Sequence, residues 1–590
     1  MTRFLTAAAA IGILVAAPAL LGTVRGQQDP FGVPEQGARV PGIPSEADAS
    51  QASTGDTARL TGQVVAGDTG RPLGRATVSL LAMDSEVPVS RAATGNDGRY
   101  ELTGVPAGRY RLRAGGGGYA AVEYGQRRPF ESGRPLDLRA GEHLDDVDVT
   151  LPRGSVIAVR VTDDLGDPLA GVLLQVHRYQ WMSDGRLALS GIQAGAAGIN
   201  ATDDRGEARV FALMPGRYVI SARTTIDGMG AAPDPSALTP GEGSIAGFAP
   251  TFHPGTVNPA EAVEVAVGAG QEVAVQFPMV PARLVTVAGT AVDSSGRPAA
   301  GANVSLLTAT VDGGTTGRPA ASVSASGRFS ISGVFPGDHF LNVTYSSRGE
   351  FAIVAVAVPG DDLADIRVVT STGTTVRGRV VLDGTSSAAA PGVVAMVRLS
   401  SADGSPMTNY GPPAFPDSGR WSLADDEGSF EIPGAISRVL FDVQTRQGWQ
   451  MTSVRLNGRD ITDEPVDLAG VNVLSGVVIT VTDELTTITG RVVDGRGRPV
   501  ADCVVVVQPA EDLEPVAAAR RVRALRPDQQ GRFETRGMRP GRYVATALES
   551  LEDGRQFDPE FREQLRRRGE TFELRDGGTA TPTLTLASGL

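Results

Sequence analysis

The residues able to do chemistry are few and scattered. Four histidines occur, in "EHLDD" (His143), "VHRYQ" (His177), "FHPGT" (His253) and "DHFLN" (His339). A hydrolytic zinc centre needs imidazoles and carboxylates converging on one ion, with a position left open for water. None of the four forms an HExxH or HxxE pair, and each stands in a different sequence context, so no metal and no cofactor is assigned. No GxSxG elbow marks an activated serine. The single cysteine, Cys503, lies in the apolar run "ADCVVVV", where a buried inert thiol is expected rather than a nucleophile. All 54 basic residues are arginine, which excludes a lysine Schiff base, a P-loop lysine and Lys–Asn isopeptide crosslinks.

Two weaker chemistries remain. "TDDRGE" from Thr202, "TDDLGD" from Thr162 and "ADDEGS" from Ala424 bunch carboxylates beside a glycine, as a calcium loop does. Asp and Gly are also ordinary turn residues, and the EF-hand spacing is missing. Carbohydrate binding would use exposed aromatic platforms. The candidates are Tyr179 with Trp181 in "HRYQWMSDGR", Trp421 in "DSGRWSLADD", Trp449 in "RQGWQMTSVRLNGRDITD", and Tyr119 with Tyr124 in "GGGGYAAVEYGQRRPF".

The elements that must position these residues come from a long chain with many turns. It has 590 residues, 74 of them Gly and 39 Pro, several times the size of one domain. Hydrophobic residues make up 41% and charged residues 21%, enough for packed cores. The net charge of −13 gives no general affinity for nucleic acid. Residues 1–26 read as an export signal: Arg3, an apolar run from Phe4 to Leu21, and small residues before Gln27. No second apolar span of membrane length follows. One cysteine allows no internal disulfide, so export points to a bacterial envelope, in a periplasmic, cell-surface or extracellular place. Residues 27–57, rich in Pro, Gly, Ser and Ala, read as a disordered linker.

Beyond the linker, three signals recur in fixed order. The first is a pair of strands around a Gly-Arg-Pro turn, with prolines at 72, 168, 298, 499 and, in a worn copy, 391. The second is the phrase "GRFETRGMRPGRYVATA" at Gly531 to Ala547, echoed from Gly98, Gly206, Gly327 and, more weakly, Gly428. Its alternating aromatics (Phe533 and Tyr543, Tyr100 and Tyr110, Phe329 and Phe340) are expected to fill the space between two sheets, and His339 takes the place of Tyr543. The third is a closing pair of strands around a Gly turn, as in "LDLRAGEHLDDVDVTL". The first two are read as hairpin-like. About seven short alternating strands per unit predict an all-β tandem array of five β-sandwiches at 58–152, 153–281, 282–371, 372–484 and 485–590. The last carries a short helix near 559–568, whose run Arg566-Arg567-Arg568 reads as a solvated face.

"GRVVDGRGRPVADCVVVV" followed by "DQQGRFETRGMRPGRYVATA" resembles the carboxypeptidase regulatory-like domain. That resemblance implies a transthyretin-like, prealbumin-like sandwich of the carbohydrate-binding-like group. It carries no catalytic residues over, since the module accompanies peptidase domains without supplying their site. The expectation is an exported, non-enzymatic binding or spacer protein of the envelope, facing an envelope protein or a polysaccharide. Its contacts are expected in the long loops "RYQWMSDGRLALSGIQAGAAGIN" and "SSADGSPMTNYGPPAFPDSGRW". The alternatives are a glycan-binding protein using the named aromatics and an accessory part of a peptidase.

Overall fold

The computed structural model describes residues 57–587, apart from 84, 86, 184, 193–199, 225–245, 310–314, 385–394, 403–419 and 447. The expected export signal, all but the last residue of the linker, Pro391 and much of the two long loops lie outside the described residues. The described residues belong to one compact unit, Ser53–Leu590.

Each repeat begins with a strand whose apolar residues alternate, so that one face is buried. Ala58–Ala66 buries Ala58, Leu60, Gly62, Val64 and Ala66 in turn. It runs antiparallel to Arg99–Val105 and parallel to Val149–Leu151. The same trio recurs four times. Ser155–Thr162 lies between Glu207–Leu213 and Glu272–Pro278. Val285–Val292 lies between Arg328–Val334 and Leu363–Val369. Thr374–Leu382 and Thr487–Val493 sit likewise in the last two repeats.

A second sheet faces each trio. Thr77–Ala82 pairs with Gly108–Gly116, which pairs with Leu136–Leu138. Leu173–Trp181 with Gly216–Arg223, Asn303–Ala309 with Gly337–Tyr345, Ala395–Ser401 with Arg438–Thr445, and Val504–Pro509 with Gly541–Leu548 repeat the arrangement. A buried cluster fills each gap, from Leu60, Val64, Leu80 and Leu112 in repeat 1 to Val492, Val505, Phe533 and Leu584 in repeat 5.

This pairing corrects the hairpin expectation. Within each signal the two strands go to opposite sheets, so each turn is a corner that carries the chain across the sandwich. Alternation with period two satisfies either connection, since the strands of a hairpin and those of a corner both turn their apolar faces into one gap.

Two repeats depart from the frame. In repeat 5, Thr583–Ala587 pairs with both Thr487–Val493 and Gly541–Leu548, so the two sheets join. In repeat 4, Gln450–Leu456 adds to the first sheet beside Val473–Thr482. A helix spans Pro559–Arg568, capped by Asp558, whose carboxylate accepts the N–H groups of Glu560 and Phe561. Phe561 and Leu565 pack on Val504, Val506 and Leu548. Arg566 pairs with Glu563 and Asp512, and Arg567 with Glu563.

Candidate functional site

The aspartate-rich loops are built by backbone geometry. Asp203 accepts the N–H groups of Arg205 at 2.9 Å and Glu207 at 2.8 Å through one carboxylate oxygen. Asp163 holds Leu165 and Asp167 in the same way, Asp528 holds Gln530 and Arg532, and Asp425 holds Ser429. The glycine that closes each turn has positive φ, 71° at Gly206 and 93° at Gly166, which favours glycine. These hydrogen bonds hold the Asp203 carboxyl below the usual carboxylate range, the bond from Glu207 N–H being the largest cause. The loops therefore use their leading carboxylates as turn caps. Among the described residues no group of three or more His, Cys, Asp or Glu is placed to hold a metal ion.

The aromatics of the second signal are structural. The rings of Tyr100, Phe329, Phe430 and Phe533 each lie across a glycine of the first strand: Gly62, Gly289, Gly378 and Gly490. A Cβ on Gly490 would stand 2.1 Å from the Phe533 ring. The second aromatic ties down the corner it follows. Tyr110, Tyr218 and Tyr543 donate their hydroxyls to the carbonyls of Pro106, Met214 and Arg539, four residues back. His339 bonds the Phe335 carbonyl at 2.8 Å in the same register, while Phe340, expected inside, is only half-buried. In repeat 4 Ser437 turns the corner with φ 63°, and Val439 and Phe441 point into the core.

The proposed glycan platforms are not brought together. Tyr179 is half-buried against Leu189, Val219 and Phe252, and donates to the Pro259 carbonyl at 3.2 Å. Trp181 ends its strand half-buried, with its carbonyl against Gly554 of repeat 5. Trp449 packs half-buried on the repeat 4 core, and Tyr119 and Tyr124 pack on that of repeat 1. Tyr119 donates to Asp68 at 3.1 Å. The Trp421 backbone pairs with Arg398, and its side chain lies outside the described residues. The rings of Tyr119, Tyr124, Tyr179 and Trp449 thus lie against the sandwiches.

Cys503 and His177 lie inside, whereas His143 is exposed and His253 half-buried. Burial pushes the Cys503 thiol up to about 11, against the opposing Arg526 charge, so the thiol stays protonated and unreactive. His177 lies 2.8 Å from Ser221 Oγ, a pair with the atoms of a base and a nucleophile. Both are buried within one sheet, with the His177 ring beside that of Phe252.

What sequence reading missed lies between repeats. The loop "GQRRPFESGR" of repeat 1 inserts Phe130 against Tyr218 of repeat 2, ring centroids 6.1 Å apart, under the Arg178 guanidinium at 4.0 Å. Repeat 5 closes over the same loop. Arg526 reaches Glu131 at 2.7 Å, both side chains buried, and the Ser132 carbonyl at 2.6 Å. Asp553 N–H donates to the Phe130 carbonyl at 2.8 Å, and its carboxylate accepts from Ser132. Arg178 pairs with Glu552, and Arg127 with Asp502. Beside this junction a cleft of about 1580 Å³ opens between repeats 1 and 5, lined by Tyr124, Arg134, Leu136, Arg526, Phe533 and Gln556 among others. Repeat 4 meets repeat 5 separately, with Asp463 taking Arg521 and Arg539 and with Arg520 on Asp442.

Comparison with known proteins gives a family for the first sandwich. Residues 59–152 match the carboxypeptidase regulatory-like domain. This regulatory-like domain therefore coincides with repeat 1, whose strands and corners recur down the chain. No curated protein matches the chain. Among solved structures, a streptococcal ancillary pilin is similar at 13% identity and TM-score 0.22, covering 53% of this chain and 98% of that one. The Bacillus anthracis TIE protein is similar at 9% identity and TM-score 0.14, covering 73% and 76%. The minor pilin GBS52 of Streptococcus agalactiae is similar at 16% identity and TM-score 0.18, covering 38% and 95%. None of these likenesses carries a functional argument.

Proposed function

We propose that the chain is an exported, non-enzymatic array of five sandwich domains, at 58–152, 153–281, 282–371, 372–484 and 485–590, serving a bacterial envelope as a binding or spacing scaffold. The observation that supports this most is the use made of its reactive groups. Carboxylates cap turns, tyrosines and His339 pin corners, and Cys503 is core. Among the described residues, a cleft between the first and the fifth domain is open to a partner. Its partner is an envelope protein or a polysaccharide.

Export is tested by fractionating cells that carry a C-terminally tagged chain and sequencing its N-terminus. An envelope species beginning near Gln27 is expected; a cytoplasmic species retaining Met1 overturns it. Purified residues 27–590 are then offered soluble and insoluble polysaccharides, alongside Tyr124→Ala at the cleft and Trp181→Ala, Trp421→Ala and Trp449→Ala. Retention lost with one variant makes this a glycan-binding protein with a located site. Retention on no sugar favours a protein partner or a spacer.

A further inference from the structure

The junction of repeats 1, 2 and 5 joins residues about four hundred positions apart in sequence, and its chemistry differs from that of the five cores. The cores are apolar. The junction is made of charges: Glu131 with Arg526, Arg178 with Glu552, Arg127 with Asp502 and Arg128 with Glu549. Most partners other than Glu131, Arg526 and Arg178 remain substantially exposed. Its one inserted ring, Phe130, holds φ 59° and is half-buried, a conformation that a bulky residue keeps only while its surroundings impose it. Polar contacts between domains of one chain resemble transient interfaces, where relative motion is the default. Exposed ion pairs are screened by salt, since the Debye length falls from ~30 Å at 0.01 M to ~3 Å at 1 M.

We propose that this junction is a charge-held latch. In the closed form, repeat 5 sits on repeats 1 and 2, as seen here. In the open form, the Gly125–Arg134 loop is released from Asp502, Arg526 and residues 549–556, while repeat 5 keeps its contact with repeat 4 through Asp463. The buried Arg526–Glu131 pair is the bolt: with one partner gone, the other is a buried charge without a counter-ion, and opening relieves it. Rising ionic strength moves the population toward the open form.

The test is hydrogen exchange on the full chain, reading residues 128–133 and 549–556, with a fluorescence distance between repeats 1 and 5. Protection of the Asp553 amide is expected to fall as salt rises, with a parallel lengthening of the distance. Glu131→Arg should open the latch at low salt, and Glu131→Arg with Arg526→Glu should close it again. Reversing Arg217 and Glu264, an ion pair within repeat 2, should leave both readouts unchanged. Protection and distance that do not move with salt or with Glu131→Arg overturn the proposal. If Glu131→Arg unfolds the chain, seen as lost protection in the repeat 3 core as well, the salt series on the unaltered protein decides: constant protection overturns the latch.

Discussion

In repeat 5 the Phe533 ring lies across Gly490 of the neighbouring strand; in repeat 2 the same register pairs Val159 with Ala208. Each pair consists of one residue from the first signal and one from the second. In repeats 1, 3 and 4 the glycine and the aromatic stay together, as in repeat 5. Repeat 2 has lost both and gained a branched side chain on the strand that had none. The fold thus constrains the pair and not either residue: the gap between the sheets must be filled, and a side chain from either strand can fill it. That is why the second repeat stays on the frame while its phrase, "GEARVFALMPGRYVISA", departs from the aromatic pattern.

The comparison can be broken in repeat 5. Phe533→Ala leaves a cavity opposite a glycine and should cost about 3–5 kcal/mol. Gly490→Val places methyl groups where the ring and the Pro582 carbonyl now stand, and should cost about 3 kcal/mol. Together they write the solution of repeat 2 into repeat 5. The double variant should therefore be less destabilised than the sum of the singles, by about 1–3 kcal/mol. Denaturant unfolding of the four chains, followed in repeat 5, measures this; additive costs would show that the two positions do not share one space.

A smaller effect separates the corners. Tyr543→Phe removes the hydroxyl donated to the Arg539 carbonyl and should cost about 1 kcal/mol. His339→Tyr offers repeat 3 the hydroxyl used in repeats 1, 2 and 5, and should be neutral or stabilising. If His339→Tyr destabilises repeat 3 as much as Tyr543→Phe destabilises repeat 5, the corners are not equivalent. Melting curves of the two variants beside the unaltered chain make the comparison.

These pairs also show how far the sequence could be read. The all-β class follows from alternating runs such as Ala58–Ala66, and the corners from Gly and Pro at fixed places. The prolines do more than turn: Pro72, Pro168, Pro298 and Pro499 each bridge back to the first strand of their repeat. Hairpin and corner could not be told apart, because alternation has the same period in both. Trp449 and Tyr124 read as candidate platforms, and their packing against the cores of repeats 4 and 1 depends on neighbours distant in sequence. The junction had no local mark at all. Glu131 and Arg526 are ordinary charges in a chain holding 54 arginines, and 395 positions separate them, so only the packing of whole repeats pairs them.

The finest difference lies in the Gly-Arg-Pro turns of repeats 3 and 5. In both, an aspartate accepts the N–H groups two and four residues on: Asp293 from Ser295 and Arg297, Asp494 from Arg496 and Arg498. Asp293 additionally accepts the Ser295 hydroxyl at 2.6 Å, the largest cause of a carboxyl held at about 2, followed by its backbone N–H bonds and the Arg297 charge against a desolvation cost. Asp494 is lowered mainly by the Arg498 N–H. A carboxyl whose folded value lies below its unfolded value, ~3.9, favours folding above that value, and the contribution disappears as pH falls through the folded value. Asp293→Asn should therefore lower the stability of repeat 3 at neutral pH, with the gap to the unaltered chain closing between about pH 4 and about pH 2. Asp494→Asn should show a smaller gap of the same sign, which closes as pH falls below the unfolded value. Melting temperatures of the three chains across pH 2–7 test it, and two variants that track the unaltered chain in parallel to the lowest pH would mean that neither turn draws stability from its ionised carboxylate.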